Sequence, residues 1–409
     1  MQGSNNDDFD QILFNTEHEF NQYPDQFWRN IYRYAGLGYA VIFFQRLLFH
    51  FSAAVFGIAI GLISNDAMSR FVEFSGYGLV YALFLASLTT NPFKKHNQAK
   101  GYELTAQSCP VLFEELDQLR EKQPAPHLHK IILNHEHSCS LQIVPYFTFL
   151  GVHQYTLSLS MEQLLIISPD EMRTVLAHEW GHLAGKHDVL AVRMTNIISY
   201  MKFYIYVLEK FRFVKLLDYM ERLLINLVAY KIVLARQDEY LADAVSAKLT
   251  NTKETAKCLT TCCVIGNWLA EQYWLPLYDL ARILPKPELT PFTTLRSFVS
   301  EYRFSQNELA ALIQHTLAIK ANPYLIHPTL RQRLSALDAE PTCSGNFSQS
   351  AAETWFGSQL DDLLAIVDKQ WQQHYTAAWG KWHESKQTVH SAEVILDPSS
   401  AGTLFCDES

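Results

Sequence analysis

Ser168-Pro169-Asp170-Glu171-Met172-Arg173-Thr174-Val175-Leu176-Ala177-His178-Glu179-Trp180-Gly181-His182 is the stretch whose reading decides the fold. Ser168 can cap a helix, Pro169 suits its first turn, and Glu171 stands where a capping box places its carboxylate. Met172, Val175 and Leu176 carry an apolar face forward into His178. Residues four apart share a helical face, so His178 and His182 present two imidazoles to one metal ion. Glu179 projects beside them. A zinc ion suits this pair, and Glu179 is placed to take a proton from a water that the metal acidifies.

A catalytic zinc takes three protein ligands and keeps a fourth position open. The run Arg236-Gln237-Asp238-Glu239-Tyr240-Leu241-Ala242-Asp243 lies within Met220 to Leu249, which reads as one long helix. Glu239 and Asp243 share a face of it. One carboxylate can bind the metal while the other accepts the second N–H of a ligating histidine. Small Ala242 and Ala244 allow this helix to approach the first closely. The competing third ligands are His187, nine residues after His178, and Asp188, which stands where a metzincin places its ligand, with Gly185 as that pattern's helix breaker. That pattern needs a supporting methionine turn, whereas Met194 and Met201 sit at helical core positions, so Glu239 is preferred. A third segment, Ile326 to Leu334, begins with His327-Pro328. His327 there can stabilise an oxyanion or donate a proton, and Arg333 can bind substrate backbone or steady a carboxylate.

Upstream of the quoted stretch, Tyr102 to Gln123 has the periodicity of an amphipathic helix, ended by Pro124-Ala125-Pro126. His129–Leu133, Gln142–Leu150 and His153–Ser160 read as strands. The last alternates Tyr155, Leu157 and Leu159 against Thr156, Ser158 and Ser160, the pattern of a half-buried strand, along which an extended substrate can add. Between the strands, His135 and His137 read as surface loop. Downstream, helices dominate to Asp338, Ala339 to Ser350 reads as a linker, and Ala351 to Lys386 as a further helix.

Two apolar stretches precede all of this. One runs from Leu47 to Ile63, with Tyr34 to Phe44 before it and Gln45-Arg46 interrupting; the other runs from Phe74 to Thr90. Both have the length of a bilayer span, joined by a short linker. Arg29, Arg33 and Arg46 precede the pair, and Lys94, Lys95 and Lys100 follow it. The positive-inside rule therefore places both ends in the cytoplasm. Val189–Val207 and Leu223–Leu234 are also apolar, but Arg193, Lys202 and Lys231 interrupt them. They read as membrane-facing or buried amphipathic helices.

Composition excludes other classes. The formal charge of −9 over 409 residues leaves no basic surface for nucleic acid. The seven cysteines are odd in number and irregular in spacing, with no paired C-x-x-C, so they read as free thiols in a reducing compartment. Residues 1–28 are acidic and polar and lack the features of a secretory signal.

Taken together, the motifs resemble the zinc metallopeptidase family of CAAX prenyl proteases and HtpX-type membrane proteases. That family pairs a His-Glu-x-x-His helix with a downstream Glu-x-x-Ala-Asp helix and a His-Pro-x-x-x-x-Arg segment. These occur here in order at His178–His182, Glu239–Asp243 and His327–Arg333. The resemblance implies one zinc per chain, held by His178, His182 and Glu239. It makes Glu179 the general base and Asp243 the orienter of a ligand. His327 becomes the transition-state stabiliser, with Arg333 behind it. The Asn-Ala of the family's cleft strand has no counterpart in Glu136–Ser140.

The expected fold is mainly α with a small β-sheet (α+β), a zincin-type metallopeptidase domain behind a two-helix transmembrane hairpin. The expected divisions are a polar tail over 1–30, the hairpin over 31–95, the peptidase over 96–340 and a helical extension over 341–409. The expected function is a multi-pass endopeptidase of the inner membrane, its catalytic domain in the cytoplasm and its partners the bilayer and membrane or misfolded polypeptides. The alternative from another class is a non-catalytic scaffold that keeps zinc for structure. A prenyl-peptide processing enzyme would need more spans to enclose a lipid.

Overall fold

The computed structural model describes the chain except residues 1, 64–75, 77–99, 148–151, 186, 211, 213, 344, 346, 348 and 389–409. It is mainly helical with a small four-stranded mixed sheet. The elements run α1 (Gln2–Gln22), α2 (Pro24–Ile63), β1 (Tyr102–Glu103), α3 (Pro110–Lys122), β2 (Lys130–Asn134), β3 (Ser140–Phe147), β4 (Val152–Ser160) and α4 (Met161–Ile166). Then follow α5 (Pro169–Ala184), α6 (His187–Lys210), α7 (Val214–Leu249), α8 (Thr252–Leu269), α9 (Leu275–Asp279), α10 (Pro291–Glu301), α11 (Gln306–Ala318), α12 (Leu330–Ala336), α13 (Ala351–Phe356) and α14 (Leu360–Thr388).

The chain divides into two compact units: residues 1–97, 143–154 and 186–235 form one, and residues 98–142, 155–185 and 236–409 the other. In the first unit α2 buries Phe27, Ile31, Ala35 and Ile42, a stripe at helical spacing. A Cβ on Gly38, in that same stripe, would run into Ile197 of α6, so the glycine sets how closely the helices approach. Arg46 lies over the ring of Tyr200 at 4.9 Å and donates to its hydroxyl at 2.5 Å. The expected bilayer-crossing hairpin is not found among the described residues, where no helix is both long and apolar enough to cross a membrane. Its second stretch, Phe74 to Thr90, falls almost entirely outside them.

The second unit holds β1, β2 and most of β4 of a sheet whose order is β1-β2-β4-β3. β1 pairs antiparallel with β2, and β2 runs parallel to β4 with Lys130 opposite Thr156 and Asn134 opposite Ser160. β4 is therefore an inner strand, and Thr156 to Ser160 are buried on both faces rather than half-buried. Its polar residues persist there because they are bonded. Asn134 Nδ2 donates to Ser158 Oγ at 2.6 Å, and Ser160 Oγ donates to the Glu136 carbonyl at 2.6 Å. Pro145, which has no N–H to give a neighbour, sits in outer strand β3, where a proline is tolerated. The expected helix over Tyr102–Gln123 is shorter: it begins at Pro110, because Thr105 and Ser108 close a local hydrogen-bonded turn first.

Described residues beyond 341 join the core of this unit. Ala352, Trp355, Phe356, Leu360, Leu364, Val367, Trp371 and Trp379 join one apolar cluster with Leu157, Leu159, Trp180 and Phe292. Gly357, at φ 50°, breaks what reads in sequence as one helix into α13 and α14. On α14, Asp368 accepts from the backbone N–H groups of Phe292 at 2.7 Å and Thr293 at 3.3 Å, satisfying the start of α10.

Candidate active site

α5 begins as its sequence dictates. Ser168 Oγ accepts from the Glu171 N–H at 3.3 Å, and Glu171 Oε2 accepts from the Ser168 N–H at 3.0 Å. Glu171 is buried, and its other oxygen accepts from Thr261 Oγ1 of α8 at 2.7 Å. At the far end Trp180 is buried and donates to the Gln123 carbonyl at 2.7 Å. α5 and α7 then cross at Gly181, where a Cβ would meet the Ala242 Cα at 2.9 Å. The sequence pointed to the small residue on α7; the close approach needs the glycine on α5 as well. Ser246 Oγ donates to the Thr174 carbonyl at 2.9 Å and fixes the rotation of one helix against the other.

That crossing sets His178 and His182 against Glu239. One donor atom from each of the three lies within 4.8 Å of the others. His178 Nε2 is 3.7 Å from Glu239 Oε2, and His182 Nε2 is 3.5 Å from Oε1. Tetrahedral zinc with bonds of about 2.0–2.1 Å separates its ligand atoms by roughly 3.3 Å. Two imidazole nitrogens and a carboxylate, partly or fully buried, therefore fit such an ion in donor type and spacing. Asp188 is the second residue of α6, and its side chain lies outside the described residues, as does that of His187. Met194 and Met201 are buried core residues.

The remaining predicted residues gather around this group. Asp243 Oδ1 is 3.1 Å from His178 Nδ1. Arg333, on the first turns of α12, donates to Asp243 through Nε at 2.8 Å and Nη2 at 2.6 Å, a planar two-pronged pair. Its Nη1 is 3.4 Å from Glu239 Oε2. The guanidinium thus steadies two carboxylates. His327 Nδ1 is 3.1 Å from Glu239 Oε1, so this ring also meets the carboxylate of the metal group. Pro328 precedes the helix rather than starting it; Thr329 is the cap, accepting from the Gln332 N–H at 3.4 Å.

Charge explains why these acids coexist. Burial raises the Glu179 carboxyl above its usual range, only partly offset by His178 and His182. Burial acts on Asp243 too, but the Arg333 guanidinium outweighs it and holds that carboxyl down at about 2. Against the same burial, Arg333, with hydrogen bonds from His182 and His327, holds Glu239 well below the carboxylate range. The site therefore keeps two firmly ionised carboxylates and one that binds a proton more readily.

Three features escaped the sequence reading. Arg236 on α7 donates to the carbonyls of Leu325, Pro323 and Asn322. Its position three residues before Glu239, on the same helical face, was the available signal. His137 is not simply loop: its Nδ1 is 2.6 Å from buried Glu162, which also accepts from Trp274 Nε1 at 2.8 Å. His135 packs on His374 and Tyr375 of α14, with ring centroids 4.8 and 6.4 Å away.

No curated protein and no solved structure matches the chain. Residues 148–341 match the sequence model of peptidase family M48. That span contains the His178, His182 and Glu239 group together with Glu179, Asp243, His327 and Arg333. The pattern, the convergence of its donors and the matched span agree: residues 148–341 are similar to the zinc metallopeptidases of family M48 and bring together a group that fits the metal.

Proposed function

We propose that the chain is a membrane-anchored zinc endopeptidase that cleaves membrane or misfolded polypeptides, with Glu179 as general base. The observation that carries this is the meeting of His178 Nε2 and His182 Nε2 with the two oxygens of Glu239, while Glu179 is buried on the same helix as the two histidines. Zinc bound there would supply a Lewis acid that acidifies water and polarises the scissile carbonyl. The protein's own part is to place protons. Glu179, its carboxyl raised by burial, is a stronger base than a surface carboxylate, suited to take the proton of the attacking water and pass it to the leaving amine. Asp243 accepts the His178 Nδ1–H, which leaves the Nε2 lone pair facing Glu239. Arg333 keeps Asp243 and Glu239 ionised. With its Nδ1–H on Glu239, His327 would need to be the imidazolium to offer an Nε2–H to the developing oxyanion. An extended substrate would pair with an outer strand, β1 or β3, since β4 has neighbours on both sides.

The membrane reading rests on α2. Phe43, Leu47, Phe51 and Val55 are exposed at intervals of four, with Phe44 and Leu48 beside them. A continuous apolar stripe on a helix calls for an apolar neighbour, and the apolar stretches over 47–63 and 74–90 support lipid as that neighbour. The cationic flanks Arg29, Arg33, Arg46, Lys94, Lys95 and Lys100 favour an inner-membrane protein with its peptidase part in the cytoplasm.

The test is Glu179→Gln in the full chain, with an unfolded polypeptide as substrate. Cleavage should fall by about 10²–10⁴-fold while elemental analysis still finds one zinc per chain. Undiminished cleavage would remove Glu179 from the mechanism.

A further inference from the structure

On α7, Arg236, Glu239 and Asp243 follow one another at intervals of three and four and so share one face. Two of the three reach side chains: Glu239 meets His178, His182 and His327, and Asp243 meets His178 and Arg333. Arg236 reaches backbone. Its Nε donates to the Leu325 carbonyl at 3.0 Å, and its Nη2 to the carbonyls of Pro323 at 2.5 Å and Asn322 at 3.3 Å. These carbonyls belong to a turn that Asn322 closes on itself, accepting from the Tyr324 N–H at its side chain and from the Leu325 N–H at its carbonyl. The turn lies in the irregular segment between α11 and α12, two residues before His327.

We propose that Arg236 is a positioning residue for His327, gripping the Asn322–Leu325 turn so that the His327 ring stays at Glu239. The inference rests on the role given to His327 in the proposed mechanism. Its physical basis is the shape of the donor. A guanidinium offers several N–H groups in one rigid plane, so one side chain can hold three carbonyls at once. An ammonium is a single nitrogen and cannot reproduce that plane. Glu239 and Arg236 stand on one helix, so the metal group and the turn carrying His327 are held to a common frame. Without the grip, His327-Pro328 hangs on the cap at Thr329 and on its own contact with Glu239. Loss of Arg236 should therefore disturb turnover more than the binding of substrate or zinc.

The test is a double-mutant cycle in the full chain: Arg236→Ala, His327→Ala and the pair, with an unfolded polypeptide probe and elemental analysis for zinc. Arg236→Ala is expected to lower kcat by about 10–100-fold, with one zinc retained and KM little changed. The pair should be no slower than His327→Ala alone, because a residue that acts through His327 has nothing left to position. Arg236→Lys keeps the charge and much of the volume and should recover little of the loss; it also serves as the second variant should Arg236→Ala fail to fold. Multiplying losses in the pair, full activity of His327→Ala, loss of zinc in Arg236→Ala, or recovery by lysine would each overturn the proposal. An active Glu179→Gln instead overturns the mechanism beneath it, so the two failures are distinguishable.

Discussion

Trp371 and Trp379, on α14 in the unit that carries the site, are 1% and 0% exposed; Phe44, Leu48 and Phe51, on α2 in the other unit, are 64%, 66% and 65% exposed. Both helices are rich in large apolar side chains. In the first case the rest of the unit covers them, and Trp379 even finds the Leu284 carbonyl for its indole N–H at 2.9 Å. In the second they form an outward stripe. The polar groups divide differently as well. The unit with the site buries Glu179, Glu239 and Asp243 and balances them with Arg333, a guanidinium 13% exposed at its side chain. The difference teaches that burial here follows function. Charges go inside where a metal and a proton must be managed, and apolar side chains stay outside where the proposed neighbour is lipid.

The comparison can be broken at several points. The largest effect is expected on α2. Placing Asp at Phe44, Leu48 and Phe51 together should cost about 2.5–3.5 kcal/mol per residue against a bilayer. The triple variant should leave the membrane fraction on vesicle flotation; if it stays there and keeps its melting temperature, the stripe faces water and the lipid reading fails. Next comes Asp243→Ala. It strands Arg333 beside Glu239 without its two-pronged partner and should destabilise the unit by about 3–5 kcal/mol. It should also weaken zinc binding by about 10–100-fold, measured by chelator competition. Unchanged zinc affinity would mean that His178 needs no orientation from Asp243.

Smaller effects sharpen the aromatic side. Trp379→Phe removes an indole bonded to Leu284, whereas Trp371→Phe removes an N–H with no partner among the described residues. Thermal unfolding should show the first to cost about 1 kcal/mol more than the second. Equal losses would place an unseen partner at Trp371. A further effect concerns pH. Burial, reinforced by His374 and His137, lowers His135 from 6.5 to about 4. The unfolded chain then takes up a proton that the folded chain refuses, so stability is full above 6.5 and falls as pH drops toward 4. His135→Gln should flatten that part of the stability profile; an unaltered slope would assign the acid sensitivity elsewhere.

The sequence by itself marked the candidate site. His178, Glu179, His182, Glu239, Asp243, His327 and Arg333 were legible as one site. Helical spacing fixes which residues share a face, and zinc accepts few kinds of ligand. The capping box at Ser168 was legible for the same local reason. What only the tertiary structure decided were questions of neighbours. Thr156 to Ser160 alternate like a half-exposed strand, yet β4 has strands on both sides and is buried on both faces. His135 and His137 look like loop residues, yet α14 and Glu162 meet them. Gly181 reads as a filler between two ligands until Ala242 is seen against it. Arg236 is one more arginine on a helix until the Asn322–Leu325 turn closes over it. Local periodicity is written in consecutive residues, but packing joins segments far apart in the chain, and no spacing along the sequence encodes which ones will meet.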